Sequence, residues 1–243
     1  MYPAVENPRI SGYDRSATMF SPKGRLYQVE YASKIVEQGT LGVGIIFDKG
    51  ILFAADKFVV SNLTVPESIE KLFKINKFNG AISAGLVGDA RRLIEFARQK
   101  VTENMSTYEE DIETEVLVRD IASIKQVFTQ YGGMRPFGVS LIIGGIQNHH
   151  PRLFETEPSG ALAEYKATAI GRNKKRAVKM LEDGYKENMS LSVAAKLAVN
   201  IIKVSKPKEE KFDLNYTDLA TITEQEGYRV LSNKETKSIL SSK

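Results

Sequence analysis

Thr40 is the residue of this chain with the plainest chemical potential, because a threonine at the head of a β-strand can attack a carbonyl through its hydroxyl. It does so only when a base takes the hydroxyl proton, and in such a residue the base is its own free α-amine. Thirty-nine residues stand in front of Thr40. Whether they are a removable leader or a permanent working part separates a hydrolase from something else. Other candidates carry less chemistry. Glu67, Glu70, Lys71 and Lys74 read by themselves as a solvated charged stretch. The adjacent His149 and His150 point apart, precede Pro151 and have no cysteine nearby, which fits an exposed hairpin turn better than a metal site.

The segment before Thr40 is built like a fixture. Ser21-Pro22-Lys23-Gly24 suits a type I turn, with proline presetting φ at the second position and glycine at the fourth. The helix expected after it carries Leu26, Val29, Ala32 and Val36 on one stripe and Tyr27, Tyr31 and Ile35 on the next. So broad an apolar surface must be covered, on one side by the domain, with a neighbouring subunit as one candidate cover for the other.

Further along, Leu41 to Phe47 and Ile51 to Ala55 flank Asp48-Lys49-Gly50 and read as a hairpin. A second hairpin is expected around Asn79-Gly80, between Phe73–Phe78 and Ala81–Ala84. A helix capped by Asp89 and running to about Asn104 comes next, then one from Ile112 to Tyr131 with Leu117, Ile121, Ile124, Phe128 and Tyr131 facing a core. The apolar run Val139 to Ile146 predicts a strand covered on both faces, followed by strands at Arg152–Thr156 and Tyr165–Ile170. A second helical pair, Asn173–Glu187 and Leu191–Val204 with Ser190 as cap, precedes a last hairpin around Gly227 and a short helix near Lys234–Leu240. Two sets of strands and two helical pairs predict two packed sheets with helices on each outer face.

Composition narrows the function. The 243 residues, 42% hydrophobic and 26% charged, suffice for one domain with a large core. The chain has no cysteine, so it holds no disulfide, thiolate metal site or cysteine nucleophile, and a cytoplasmic location is expected. No signal-peptide h-region and no run of roughly twenty apolar residues occurs, so no membrane is expected among its partners. The net charge of +4 gathers at Lys174-Lys175-Arg176 and at Lys203, Lys206, Lys208 and Lys211. Without interleaved aromatics these clusters read as solvated helix faces rather than a nucleic-acid platform.

Tyr13-Asp14-Arg15 and the run Phe20-Ser21-Pro22-Lys23-Gly24-Arg25-Leu26-Tyr27-Gln28-Val29-Glu30-Tyr31-Ala32 closely resemble the N-terminal signature of 20S proteasome α-type subunits, archaeal forms above all. The resemblance continues through Gly85–Arg91, Gln130–Ser140 and Tyr165–Gly171. It implies a four-layer αββα sandwich, the Ntn-hydrolase fold, in agreement with the element order. The β-type relatives in that family are threonine peptidases, and against them Thr40 matches the nucleophile, Asp56 an acidic partner and Lys71 the catalytic lysine. Two further requirements fail: Gly171-Arg172-Asn173 replaces a Gly-Ser-Gly turn, and Val204-Ser205-Lys206-Pro207-Lys208 replaces an Asp-x-x-Ser-Gly segment. With no cleavage after Gly39 the Thr40 nitrogen is an amide and cannot be the base, so Thr40 is read as an ordinary strand residue and no catalytic residue is assigned.

What the resemblance implies is a noncatalytic ring subunit. Such subunits form heptameric rings with neighbouring α subunits, cap the β-subunit rings, and admit unfolded polypeptide through an axial pore. Residues 1–12 would be the mobile plug ahead of a single domain spanning 13–243, whose residues 13–38 form hinge and helix. Tyr13, Asp14, Arg15, Pro22 and Tyr31 would form the gate cluster. Lys71, with Gly39, Gly85, Leu86 and Leu26, would line a pocket for the C-terminal tails of ATPase or other ring-shaped activators. Tyr131, Gly132 and Gly133 would edge the pore entrance. No cofactor or metal is implied. Two alternatives stay open on the sequence: a self-processed threonine hydrolase using Thr40, and a basic nucleic-acid-binding protein. Intact mass separates the first from the ring subunit: the gate reading expects Met1–Gly39 to remain on the chain, and their loss would establish the hydrolase.

Overall fold

The computed structural model describes residue 16 and residues 18–57, 63–207 and 210–242. The first feature is the expected turn: the Gly24 N–H donates to the Ser21 carbonyl at 2.8 Å, with Gly24 at φ +70°. Buried Ser21 adds its hydroxyl as acceptor for the Arg25 N–H. Helix α1 (Tyr27–Gln38) follows and buries Ala32 and Val36, while Tyr27, Val29, Tyr31 and Ile35 stay half-buried.

Among the described residues, ten strands form two antiparallel five-stranded sheets. In chain order they are β1 (Gly42–Phe47), β2 (Gly50–Asp56), β3 (Leu72–Lys74), β4 (Asn79–Gly85), β5 (Val139–Gln147), β6 (His150–Thr156), β7 (Leu162–Glu164), β8 (Ala167–Ile170), β9 (Thr217–Thr223) and β10 (Gly227–Val230). One sheet runs β10-β9-β2-β1-β8 and the other β3-β4-β5-β6-β7. Helices α2 (Val87–Tyr108) and α3 (Thr114–Val127) cover the second sheet, and α4 (Lys174–Gly184) and α5 (Leu191–Ser205) the first, with α6 (Asn233–Ser241) beside α5.

Strand alternation divides the apolar residues among three interlayer cores. In β2, Ile51, Phe53 and Ala55 face the other sheet, meeting Ile82 of β4 and Ile142 of β5, whereas Leu52 and Ala54 face α4 and α5. The second sheet does likewise: Ala81, Leu141 and Ile143 pack under Leu93, Ile94, Leu117 and Ile121 of α2 and α3. A strand wetted on neither face reads as an unbroken apolar run, as β2 and β5 do. The four-layer αββα sandwich expected from the sequence is the fold observed.

Several local expectations are corrected. The second hairpin does not turn at Asn79-Gly80, because Asn76 draws the chain round first: its Oδ1 accepts from the Phe78 and Asn79 N–H groups at 2.9 and 2.6 Å. Asn79 and Gly80 therefore lie inside β4, where a Cβ on Gly80 would stand 2.4 Å from the Tyr228 ring. Asp89 does not cap α2; Leu86 holds the cap position and the Asp89 carboxylate turns outward to Arg135 and the Gly138 N–H. That helix also continues past Asn104 to Tyr108, where Glu109 turns left-handed. Helix α3 stops at Val127, so Tyr131 lies beyond it and is 59% exposed instead of core-facing. Strand β7 was not anticipated, being only three residues long. The packing at Gly80 is directly measurable: Gly80→Ala should lower unfolding free energy by about 1–3 kcal/mol through overpacking against Tyr228. Gly88→Ala, whose added methyl meets nothing within 4 Å, should be neutral or stabilising by up to about 1 kcal/mol in the same denaturant titration.

Candidate functional site

Thr40, Asp56 and Lys71 meet at one end of the sandwich, where β1 begins, β2 ends and β3 is about to start. The Lys71 side chain enters between the sheets and is only 6% exposed. Its Nζ donates to the Thr40 hydroxyl at 2.5 Å, the Thr40 carbonyl at 2.8 Å, and the carbonyls of Asp56 and Leu41 at 3.0 and 3.1 Å. Three of these four partners are carbonyls, which only accept, so the amine serves as a donor that braces the two strand ends together. Lys71 is thus no part of a solvated charged stretch, although Glu70 and Lys74 beside it are exposed.

The Asp56 carboxylate is paired with other cations. It is 1% exposed and lies 3.1 Å from the Arg172 guanidinium and 2.7 Å from Lys206 Nζ. Glu210 closes the network, receiving two Arg172 N–H groups at 2.7 and 2.6 Å. Both cations come from the two segments where the chain departs from the peptidase pattern. Where a peptidase would support a free amine, this chain neutralises a buried carboxylate. The Lys206 and Lys174 side chains, read from the sequence as solvated, are instead held by Asp56 and by buried Glu155. Nothing local announces these pairings, since Arg172 and Asp56 are distant in sequence; only the Lys206–Glu210 spacing of four hinted at an acidic companion.

The peptide before Thr40 is fixed from both sides. The Arg172 N–H donates to the Gly39 carbonyl at 2.8 Å, and a Cβ on Gly171 would lie 2.5 Å from the Thr40 carbonyl oxygen. Thr40 itself lies just ahead of β1, outside any strand. A Cβ on Gly39 would come within 2.6 Å of the Gly85 nitrogen, and one on Gly85, at φ +114°, within 2.2 Å of the Gly138 carbonyl oxygen. Glycine at these sites is demanded by backbone lying on backbone. Leu86 follows, partly exposed, with its N–H on the Gly138 carbonyl at 2.9 Å.

Of the other expected site residues, Pro22 is exposed on its turn, Leu26 is half-buried at the start of α1, and Tyr31 stacks on Tyr27 with ring centres 6.4 Å apart. Tyr13, Asp14 and Arg15 lie outside the described residues. Tyr131, Gly132 and Gly133 project on a separate loop after α3. His149 occupies a two-residue hairpin turn with Asn148, as the sequence suggested, and pairs with Glu224; His150 opens β6.

Comparison with known proteins agrees with this geometry. The family model described as "Proteasome subunit" matches residues 36–222, and the model for the N-terminal signature of A-type proteasome subunits matches residues 13–34. The chain belongs to the proteasome subunit family. Among similar members, the proteasome alpha chain of Methanopyrus kandleri is 46% identical over 94% of this chain and 92% of its own length. That of Methanobrevibacter smithii is 46% identical over 95% and 92%, and that of Methanococcus vannielii is 51% identical over 82% and 76%. The proteasome α-type signature therefore falls on the turn and helix that precede Thr40.

A second buried lysine bears on how this proteasome subunit responds to pH. Lys125 of α3, fully buried, donates to the Thr156 carbonyl and hydroxyl at 3.1 and 3.0 Å. Burial pushes both Lys71 and Lys125 down to about 7, with Asp56 opposing the shift at Lys71 and Glu155 at Lys125. In the unfolded chain a lysine keeps its value near 10.4, so above pH 7 the unfolded state binds more protons and these groups make stability rise with pH. Urea titrations between pH 7 and pH 9 should show that rise, and Lys125→Met should make it shallower; an unchanged slope would exclude Lys125 as a contributor.

Proposed function

We propose that this chain is a noncatalytic α-type subunit of a 20S proteasome core, assembled with its own kind or sister α subunits into outer heptameric rings on the β rings. The observation that carries this reading is the anchoring of the segment before Thr40. Val36 lies in the core between the sheets, Ala32 is buried, and the Gly39 carbonyl is held by the Arg172 N–H. Cleavage after Gly39 would remove core residues. It would also free an amine beside an Asp56 already committed to Arg172 and Lys206. The α-type signature and the names of the relatives support the same role.

Ring assembly is supported by α1. Its half-buried Tyr27, Tyr31 and Ile35, with exposed Met19 and Phe20 just upstream, leave an apolar surface that a neighbouring α subunit would cover. Residues 1–12 would act as the plug of the axial pore, with Tyr13, Asp14, Arg15, Pro22 and Tyr31 holding the tail when the pore opens to unfolded polypeptide. In the same reading Lys71, Gly39, Gly85, Leu86 and Leu26 receive the C-terminal tail of an ATPase or other ring-shaped activator. A tail carboxylate would then have to draw the Lys71 ammonium from Thr40, Leu41 and Asp56, exchanging neutral acceptors for a charged one.

Deleting residues 2–12 should raise peptide hydrolysis by the assembled α and β particle without any activator; an unchanged rate would sink the plug assignment. Lys71→Ala should abolish stimulation by a tail-bearing activator, expressed relative to the variant's own unstimulated rate. Stimulation at the unaltered level would remove Lys71 from the docking pocket.

A further inference from the structure

The loop from Phe128 to Gly138, between α3 and β5, has a firm base and a bare tip. At the base the rings of Phe128 and Phe137 lie 4.6 Å apart, and Phe137 is buried in the core beneath α2 and α3. The Thr129 hydroxyl donates to the Gln126 carbonyl at 2.6 Å. At the tip, Tyr131 and Met134 are exposed, and a Cβ on Gly132 or Gly133 would meet no atom within 4 Å. Apolar packing therefore leaves the tip unheld.

Charge holds it instead. Arg135 donates through both terminal nitrogens to Asp89, at 2.6 Å to Oδ2 and 2.7 Å to Oδ1, and the first nitrogen also reaches the Pro136 carbonyl at 3.0 Å. The Gly138 N–H donates to Asp89 Oδ2 at 2.8 Å, so one carboxylate grips the loop at two points. Asp89 sits in the first turn of α2, where the helix dipole favours a negative charge. Burial opposes its ionisation, but the hydrogen bonds from Arg135 and Gly138 overcome this and hold its carboxyl below the ordinary value. An exposed ion pair is commonly worth little. This one differs in being bidentate, in resting on a mostly buried acid, and in sharing that acid with a backbone N–H. The Gly138 carbonyl, in turn, receives the Leu86 N–H, which ties the same loop to the Gly85-Leu86 wall.

We propose that Asp89 and Arg135 are positioning residues for the loop that carries Tyr131, Gly132 and Gly133, and that their pairing keeps the passage beside it open to an extended chain. The proposal rests on the pore-entrance reading of that loop.

The test uses assembled α and β particles lacking residues 2–12, so that the plug contributes to neither arm. Arg135→Met leaves α2, Asp89 and the Gly138 contact in place, and Arg135→Lys keeps the charge without the fork. Hydrogen exchange of residues 129–138 should become roughly three- to tenfold faster in Arg135→Met and less so in Arg135→Lys, with α3 unchanged. Hydrolysis of an unfolded, fluorescently labelled casein should fall about twofold or more relative to that of a short fluorogenic peptide, because a loosened tip obstructs the longer chain. Unchanged exchange would overturn the clamp. Faster exchange with an unchanged casein-to-peptide ratio would overturn the role of the clamp in passage while leaving the assignment of this loop to the pore entrance standing.

Discussion

A carboxylate that is 1% exposed must be given cations or lose its charge, and the organisation of this molecule around Thr40 follows from how Asp56 meets that demand. Arg172 and Lys206 come to it from opposite ends of the α4 and α5 pair, and Glu210 balances the surplus charge. The same Arg172 gives its backbone N–H to the Gly39 carbonyl, so the residue that pairs with Asp56 also holds the segment before Thr40. Lys71, released from pairing with the Asp56 side chain, is left to bind carbonyl oxygens and the Thr40 hydroxyl. Groups that would form a nucleophilic centre in a processed relative are thus occupied in joining strand ends to one another.

The same end of the sandwich explains why α1 belongs to the domain. Val36 contributes to the core between the sheets, and Gly39 lies against Gly85 with no room for a side chain. The outer face of the helix is less well served. Tyr27 and Tyr31 stack on each other, and Lys34 and Arg25 lie over their rings, an arrangement that dresses an apolar surface without burying it. A helix half-covered by its own domain is suited to being completed by a neighbour.

The layers were legible in the sequence because they depend on periodicity. The alternation in β1, the continuous runs of β2 and β5 and the stripe Leu117–Ile121 of α3 each report on burial through side-chain pattern alone. The expectations that failed depended on competition between partners. Asn79-Gly80 is the stronger turn dipeptide, but Asn76 precedes it and captures the backbone first. Asp89 is a good helix cap until Arg135, far along the chain, offers two N–H groups. Lys206 resembles every other lysine on a polar face until the fold brings Asp56 beneath it. Thr40, Asp56 and Lys71 were identifiable as a group, yet the direction of the Asp56 carboxylate was set by residues whose approach no spacing reveals.

The contact of Gly39 with Gly85, and of Gly85 with Gly138, has a mechanical character of its own. Three chain segments lie on one another with no side chain between them. Side chains ordinarily act as shock absorbers, since a small shift of one segment is lost in a change of rotamer in the next. Here there is no rotamer to change. A displacement at the end of α1 would meet the backbone at Gly85, and behind it the backbone at Gly138, with no side chain in between to take it up.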